Sequence, residues 1–185
     1  MGVVAKPSQI ILLAEDTLHK QFAFRYLRRL GFGIHTMRIV ESPSGEGSAE
    51  QWVRQRFPLE IEACRLRQAE TRLIVLIDAD THTVRERIGQ LDKALEDAEA
   101  PPIPDDTEEV ARLVPKRNIE TWILCLNDVE VNEDTDYKRT RDNWTDLVRP
   151  AVNTLHVWTR PRAVVPESCV ESLQLGIREL RKIEL

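Results

Sequence analysis

Two hydrophobic rhythms alternate along the chain. Residues 10–14 and 73–77 are continuously apolar, and residues 110–114 nearly so, with Arg112 the one interruption. Short aliphatic runs of this kind read as strands buried on both faces, as in a parallel sheet covered by helices. Residues 34–40 alternate imperfectly and read as a further strand, nearer an edge. The segments between carry helical spacing: Leu18, Phe22, Leu27 and Leu30 before Gly31; Trp52, Val53 and Phe57 after Ser48; Val84, Ile88, Leu91, Leu95 and Ala98; Ile119, Trp122, Ile123 and Leu126 after Asn118. Thr17, Ser48 and Asn118 are the expected N-caps. Pro58 is expected to interrupt the second helix, which resumes to about Arg67. Trp144, Leu147, Val148, Val152 and Leu155 predict a helix broken or kinked at Pro150. Pro166 is expected to open a last helix through Val170, Leu173, Ile177 and Leu180. Strand, helix, strand in sequence predicts right-handed crossovers. The predicted fold class is therefore α/β: about four mostly parallel strands flanked by helices, with a helical C-terminal extension. Residues 8–127 form the α/β domain. Residues 128–185, a polar insertion over 128–142 and then helices, pack on the same domain. Residues 100–107 are a Pro-rich acidic connector.

Three predicted parallel strands each end in acidic residues. Glu15 and Asp16 follow the first, Asp78 and Asp80 the strand at 73–77, and Glu120 comes just beyond the strand at 110–114. In a doubly wound sheet those carboxyl ends share one edge, where ligands bind. Carboxylates gathered closely are costly unless a cation or a proton lies between them. A divalent ion is the usual resolution, and hard oxygen ligands favour Mg²⁺ or Mn²⁺ over zinc. The alternative is that one of the aspartates caps the helix near Thr83 and the other is solvated. Carboxylates holding one or two such ions suit phosphodiester chemistry, in which metals about 4 Å apart activate water and stabilise the leaving oxygen. Lys116 or Arg117 would then stabilise charge developing on the phosphoryl group.

Composition narrows this only slightly. The formal net charge of −5 shows no overall basic character, yet a local basic face beside an acidic metal site is enough for a nuclease. The three scattered cysteines lack metal-ligand spacing and fit a reducing cytoplasm. The N-terminus has no signal-peptide pattern, and no apolar run approaches the roughly 20 residues of a membrane helix. His19, His35, His82 and His156 show no ligand spacing and read as ordinary surface or core residues. The loop over 41–48 reads as an ordinary connection, since no Walker pattern is present.

A glutamate after the first strand and a later strand ending in Asp-x-Asp resemble the Toprim domain of topoisomerases, primases and the overcoming-lysogenization-defect group of nucleases. The likeness lies in residues 10–16 and 73–80. The segment at 114–122 is similar to the lysine-and-acid region of the nuclease branch, and the likeness spans about residues 8–125. It implies a Toprim/Rossmann-like sheet, with Glu15 as general acid/base or metal ligand. Asp78 and Asp80 would be metal ligands, joined by Glu120 at a second metal and by Asp16, with Lys116 as a phosphate contact and Arg117 on nucleic acid. It also implies Mg or Mn as cofactor, nucleic acid as partner, a partner ATPase in defence against phage, and the possibility of oligomers, with no membrane. The sequence departs from the pattern where Asp16 stands in place of the usual glycine.

Three rival readings differ in kind. A phosphoacceptor receiver domain would use Glu15, Asp16 and Asp78, but Ala79-Asp80-Thr81-His82 is not its usual Pro-Gly-containing loop. A haloacid-dehalogenase-like phosphatase needs Asp-x-Asp-x-Thr, and His82 occupies the final position. A non-catalytic binding or regulatory subunit of the same fold is the main alternative to the nuclease.

Overall fold

In a computed structural model of the chain, which describes residues 7–45, 47–67, 70–104 and 109–185, the apolar runs are strands of one sheet. Residues 1–6, and with them most of the N-terminal reading above, lie outside the described residues, as do residues 105–108 of the connector. The strands are β1 (Gln9–Ala14), β2 (Met37–Glu41), β3 (Thr71–Leu76) and β4 (Val110–Leu113). Their order is β2-β1-β3-β4 and every pairing is parallel. The helices are α1 (Thr17–Arg29), α2 (Ala49–Arg65), α3 (Val84–Asp97), α4 (Ile119–Leu126), α5 (Thr145–Trp158) and α6 (Glu171–Lys182).

Alternate strand residues feed two cores, which is why the runs are continuously apolar rather than alternating. Ile10, Leu12, Ala14, Ile74 and Leu76 pack with residues of α1, α4, α5 and α6. Ile11, Leu13, Leu73, Val75 and Ile77 pack with Val53, Phe57 and Ile61 of α2 and with Leu91 and Leu95 of α3. The last two helices are integral to the first core, which extends from Ile10 to Ile183. Trp122 of α4 donates through Nε1 to Ser172 Oγ at 2.7 Å. The buried Arg72 of β3 donates to the Ile183 carbonyl at 2.9 Å.

Several local expectations are corrected. Residues 34–36 form a 3₁₀ turn with Ile34 exposed, so the edge strand begins only at Met37. Asp16, not Thr17, caps α1, accepting from the amides of Leu18 and His19. Thr17 Oγ1 donates instead to Glu41. Ser48 caps α2 as expected. Asn118 holds the cap position of α4 but bonds to no helix amide; its Nδ2 donates to Asp136 Oδ1. Thr83, with Glu86, forms a capping box for α3, so neither Asp78 nor Asp80 is spent as its cap. Helices α2 and α5 run unbroken through Pro58 and Pro150. Buried neighbours on either side of each proline, Phe57 with Ile61 and Val148 with Ala151, hold these helices against the rest of the protein. That burial outweighs one missing hydrogen bond. Pro166 lies in a turn, its carbonyl accepting from Cys169, and α6 starts only at Glu171.

Candidate metal centre

The connection through α1 places β2 on one side of β1, and the connection through α2 places β3 on the other. The carboxyl ends of β1 and β3 therefore form the topological switch point, where a crevice opens in doubly wound sheets. Ala14 pairs with Leu76 in register, so Glu15 comes level with Ile77, one residue before Asp78. Glu15 N donates to the Leu76 carbonyl at 3.2 Å, and Asp78 N donates to Glu15 Oε2 at 2.8 Å. Both side chains are buried.

A histidine joins them. Asp16 caps α1 and His19 stands three residues on, so the imidazole folds back over the cap. Its Nδ1 lies 2.7 Å from Asp16 Oδ1 and its Nε2 2.8 Å from Asp78 Oδ1. With a carboxylate at each nitrogen, both donate and the ring is held as imidazolium. Complete burial opposes that charge, but Asp78's charge and the hydrogen bonds to Asp16 and Asp78 raise the pKa well above 6.5. Burial pushes Asp16 up, and the His19 contacts with the cap amides override it, holding this carboxyl far below its ordinary range.

Lys138 closes the cluster from the loop between α4 and α5. Its Nζ stands 3.1 Å from Asp78 Oδ2 and 3.8 Å from Asp80 Oδ1, half exposed. The contact with Asp78 is an ion pair without hydrogen-bond alignment, leaving Oδ2 with no aligned donor. Burial opposes the ammonium charge, but the charge and contact of Asp78, with Glu15 and Asp80 behind it, lift the Lys138 pKa above the usual lysine range.

Glu120 is also buried, because every residue of the short α4 is enclosed, and its Oε2 has no hydrogen-bond partner. Burial raises it to about 7; its own backbone opposes this and Asp78's charge adds to it. Glu15 is likewise raised to about 7, by burial and then by Asp78, with His19 and Lys138 opposing. Asp80 is half exposed on a left-handed backbone (φ 54°) and is raised by burial and by Asp78, against Lys138. Its Oδ2 lies 3.4 Å from the buried Arg87 guanidinium, which Glu50 holds at 2.6 Å.

Glu15 and Asp78 are thus in contact, Glu120 is within electrostatic reach, and Asp80 shares Lys138 with them. Asp16 is committed to the α1 cap and to His19. Lys116 pairs with the exposed Asp134 at 2.6 Å. Arg117 donates to the Asp80 carbonyl at 3.2 Å and lies 3.9 Å from Asp136, so it braces the Asp80 loop. His19 and Lys138 are the two members absent from the sequence expectation. The Asp16-x-x-His19 spacing, cap to third helical residue, is the signal that would have found the first. Lys138 has no local signal.

Ligand atoms of Glu15, His19 and Asp78 all lie within 4.8 Å of one another, close enough for this buried cluster to hold a metal ion in place of a His19 proton. The donor set fits one. Asp78 Oδ2 and Glu120 Oε2 are buried oxygens without hydrogen-bonded donors, and two glutamates are raised by burial and by the charge of Asp78. His19, with both nitrogens committed, orients Asp78 in this arrangement. No family model, curated protein or solved structure matches the chain. Among the described residues, no helix is long and apolar enough to cross a membrane.

Proposed function

We propose that the chain is a Mg²⁺- or Mn²⁺-dependent phosphodiester-cleaving enzyme, a Toprim-like nuclease. The observation that carries this reading is the buried Glu15–His19–Asp78 cluster at the switch point, its ligand atoms within 4.8 Å of one another, with the buried Glu120 in electrostatic reach. Glu15 and Asp78 hold the ion, with Glu120 in electrostatic reach and Asp80 at the rim. A bound divalent ion supplies Lewis-acid stabilisation of phosphoryl oxygens and a water acidified toward neutrality. His19 fixes the orientation of Asp78 and keeps a proton between Asp16 and Asp78. Lys138, in ion-pair contact with Asp78, turns outward to meet substrate phosphate. The Toprim resemblance implies a wider setting in which such a nuclease works beside an ATPase against phage.

Supercoiled plasmid and a single-stranded RNA, each incubated with Mn²⁺ or Mg²⁺, test the assignment. Metal-dependent cleavage of at least one is expected, reduced on the order of 100-fold or more by Asp78→Asn and by Glu15→Gln. Cleavage that survives both substitutions contradicts it. A second reading, the non-catalytic binding or regulatory subunit, is favoured by one observation: His19 and Lys138 already supply Asp78 with two cationic neighbours. It predicts no cleavage with any metal and no change of melting temperature on adding one.

A further inference from the structure

Basic residues are outnumbered in this chain, 26 Lys and Arg against 31 Asp and Glu. Helix α1 reverses the balance: Lys20, Arg25, Arg28 and Arg29 are unopposed by any acid within it. Lys20 is paired with Glu41. The three arginines instead border an open groove of about 540 Å³ shared with α5 and completed by Arg149, Val152 and Asn153. Arg25, Arg29 and Arg149 are exposed, and among the described residues none of them has a carboxylate partner. Arg28 donates to the Phe32 carbonyl. The field extends past the groove: the His156 imidazole is pushed below its ordinary value by burial and then by the charges of Arg160 and Arg29. Four arginines left without counter-charge repel one another, and an acidic protein gains nothing in solubility from such a patch. An anionic partner removes that repulsion.

The groove is aligned with the acidic cluster. Helix α1 begins at the cluster, where Asp16 holds His19 and His19 contacts Asp78, and ends at the groove. From His19 to Arg28 the helix rises on the order of 14 Å, roughly four phosphates along one strand at 3.4 Å each. Between the two, Thr145 Oγ1 bonds Gln21 Oε1 at 3.2 Å, seating the start of α5 against α1. Arg141 lies 6.0 Å over the Trp144 ring at that junction. Lys138 and Arg141 belong to the loop that leads into α5, where the exposed Asp142 and Asp146 also stand.

We propose that the α1/α5 groove is the nucleic-acid track, its arginines gripping the phosphate backbone of a strand whose scissile bond lies at the Glu15–His19–Asp78 cluster. That the polymer is nucleic acid rests on the phosphodiesterase reading; that the groove takes a polyanion rests on the arginines themselves. Positioning belongs to phosphate contacts, which carry no base information, so the track is expected to hold strands of differing sequence alike.

The test is fluorescence anisotropy with a labelled 20-nucleotide single strand, as DNA and as RNA, and the corresponding duplexes, in EDTA so that no cleavage intervenes. The triple variant Arg25→Ala/Arg29→Ala/Arg149→Ala alters exposed side chains only. The wild type is expected to bind with a salt-dependent affinity. The triple variant should bind at least about tenfold more weakly near 0.1 M salt, its log–log salt slope shallower by about one per arginine removed. Asp78→Asn retains the strand, and the triple variant retains any metal-induced rise in melting temperature, so failure of the track and failure of the metal site are separable. The track is overturned if the triple variant matches the wild type in affinity and slope. It is equally overturned if the wild type binds none of the strands, or holds polyglutamate or anionic phosphatidylserine vesicles as tightly as nucleic acid.

Discussion

Glu15 and Glu120 are buried carboxylates without enough positive charge around them, and this has a definite consequence for stability. In the unfolded chain each titrates near 4.5; in the fold each is raised to about 7. Between those values the folded state keeps protons that the unfolded state has released, so stability falls as pH rises from about 4.5 to about 7. His19 acts in the same direction. Its folded pKa is raised, so its contribution is complete below 6.5 and is lost as pH rises through the folded value. The metal-free protein is therefore expected to lose melting temperature steadily from pH 5 to pH 8.5. Glu120→Gln removes one contributor: it should stabilise by on the order of 2 kcal/mol at pH 8 and by little at pH 5. Melting curves for the two proteins that stay parallel across this range contradict the charge deficit at Glu120.

Helix α6 is held to α4 by a close approach at Gly176. A Cβ there would stand 2.5 Å from Trp122 Cη2, and the indole cannot retreat because it is enclosed and its Nε1 is tied to Ser172. Alanine gains about 1 kcal/mol of helix propensity over glycine, but overpacking of a fixed ring costs about 1–3 kcal/mol. Gly176→Ala should therefore destabilise by up to about 2 kcal/mol net; a denaturant midpoint above wild type contradicts this packing. Elements of this kind were legible to different degrees. Strands β1 and β3 could be read from their apolar runs, because both faces are covered and no residue is free to be polar. The unbroken courses of α2 and α5 could not, since burial around Pro58 and Pro150 is a tertiary effect invisible to local propensity. The cap of α1 was misplaced by one residue because Asp16 and Thr17 are both competent, and the choice depends on Glu41 reaching across from β2 to take the Thr17 hydroxyl.

At the scale of the whole molecule, the strand order makes a topological switch point at the ends of β1 and β3, and the acids found after those strands in the sequence fall there. That much was visible because strand ends can be read from hydrophobicity. The cations were not. His19 looked like any helical histidine, and Lys138 arrives from a polar loop whose course is set by contacts distant in sequence, Asn118 with Asp136 and Lys116 with Asp134. Both cations crowd the carboxylates proposed to bind metal, so a direct binding measurement decides more than any activity assay. That measurement is titration of Mn²⁺ followed by electron paramagnetic resonance at pH 8, on the wild type, Asp78→Asn and Lys138→Met. Saturable uptake by the wild type is expected, at least about tenfold weaker in Asp78→Asn and tighter in Lys138→Met, where the competing ammonium is gone. Absence of uptake in all three proteins, or equal uptake by the wild type and Asp78→Asn, contradicts a metal centre built on Glu15 and Asp78.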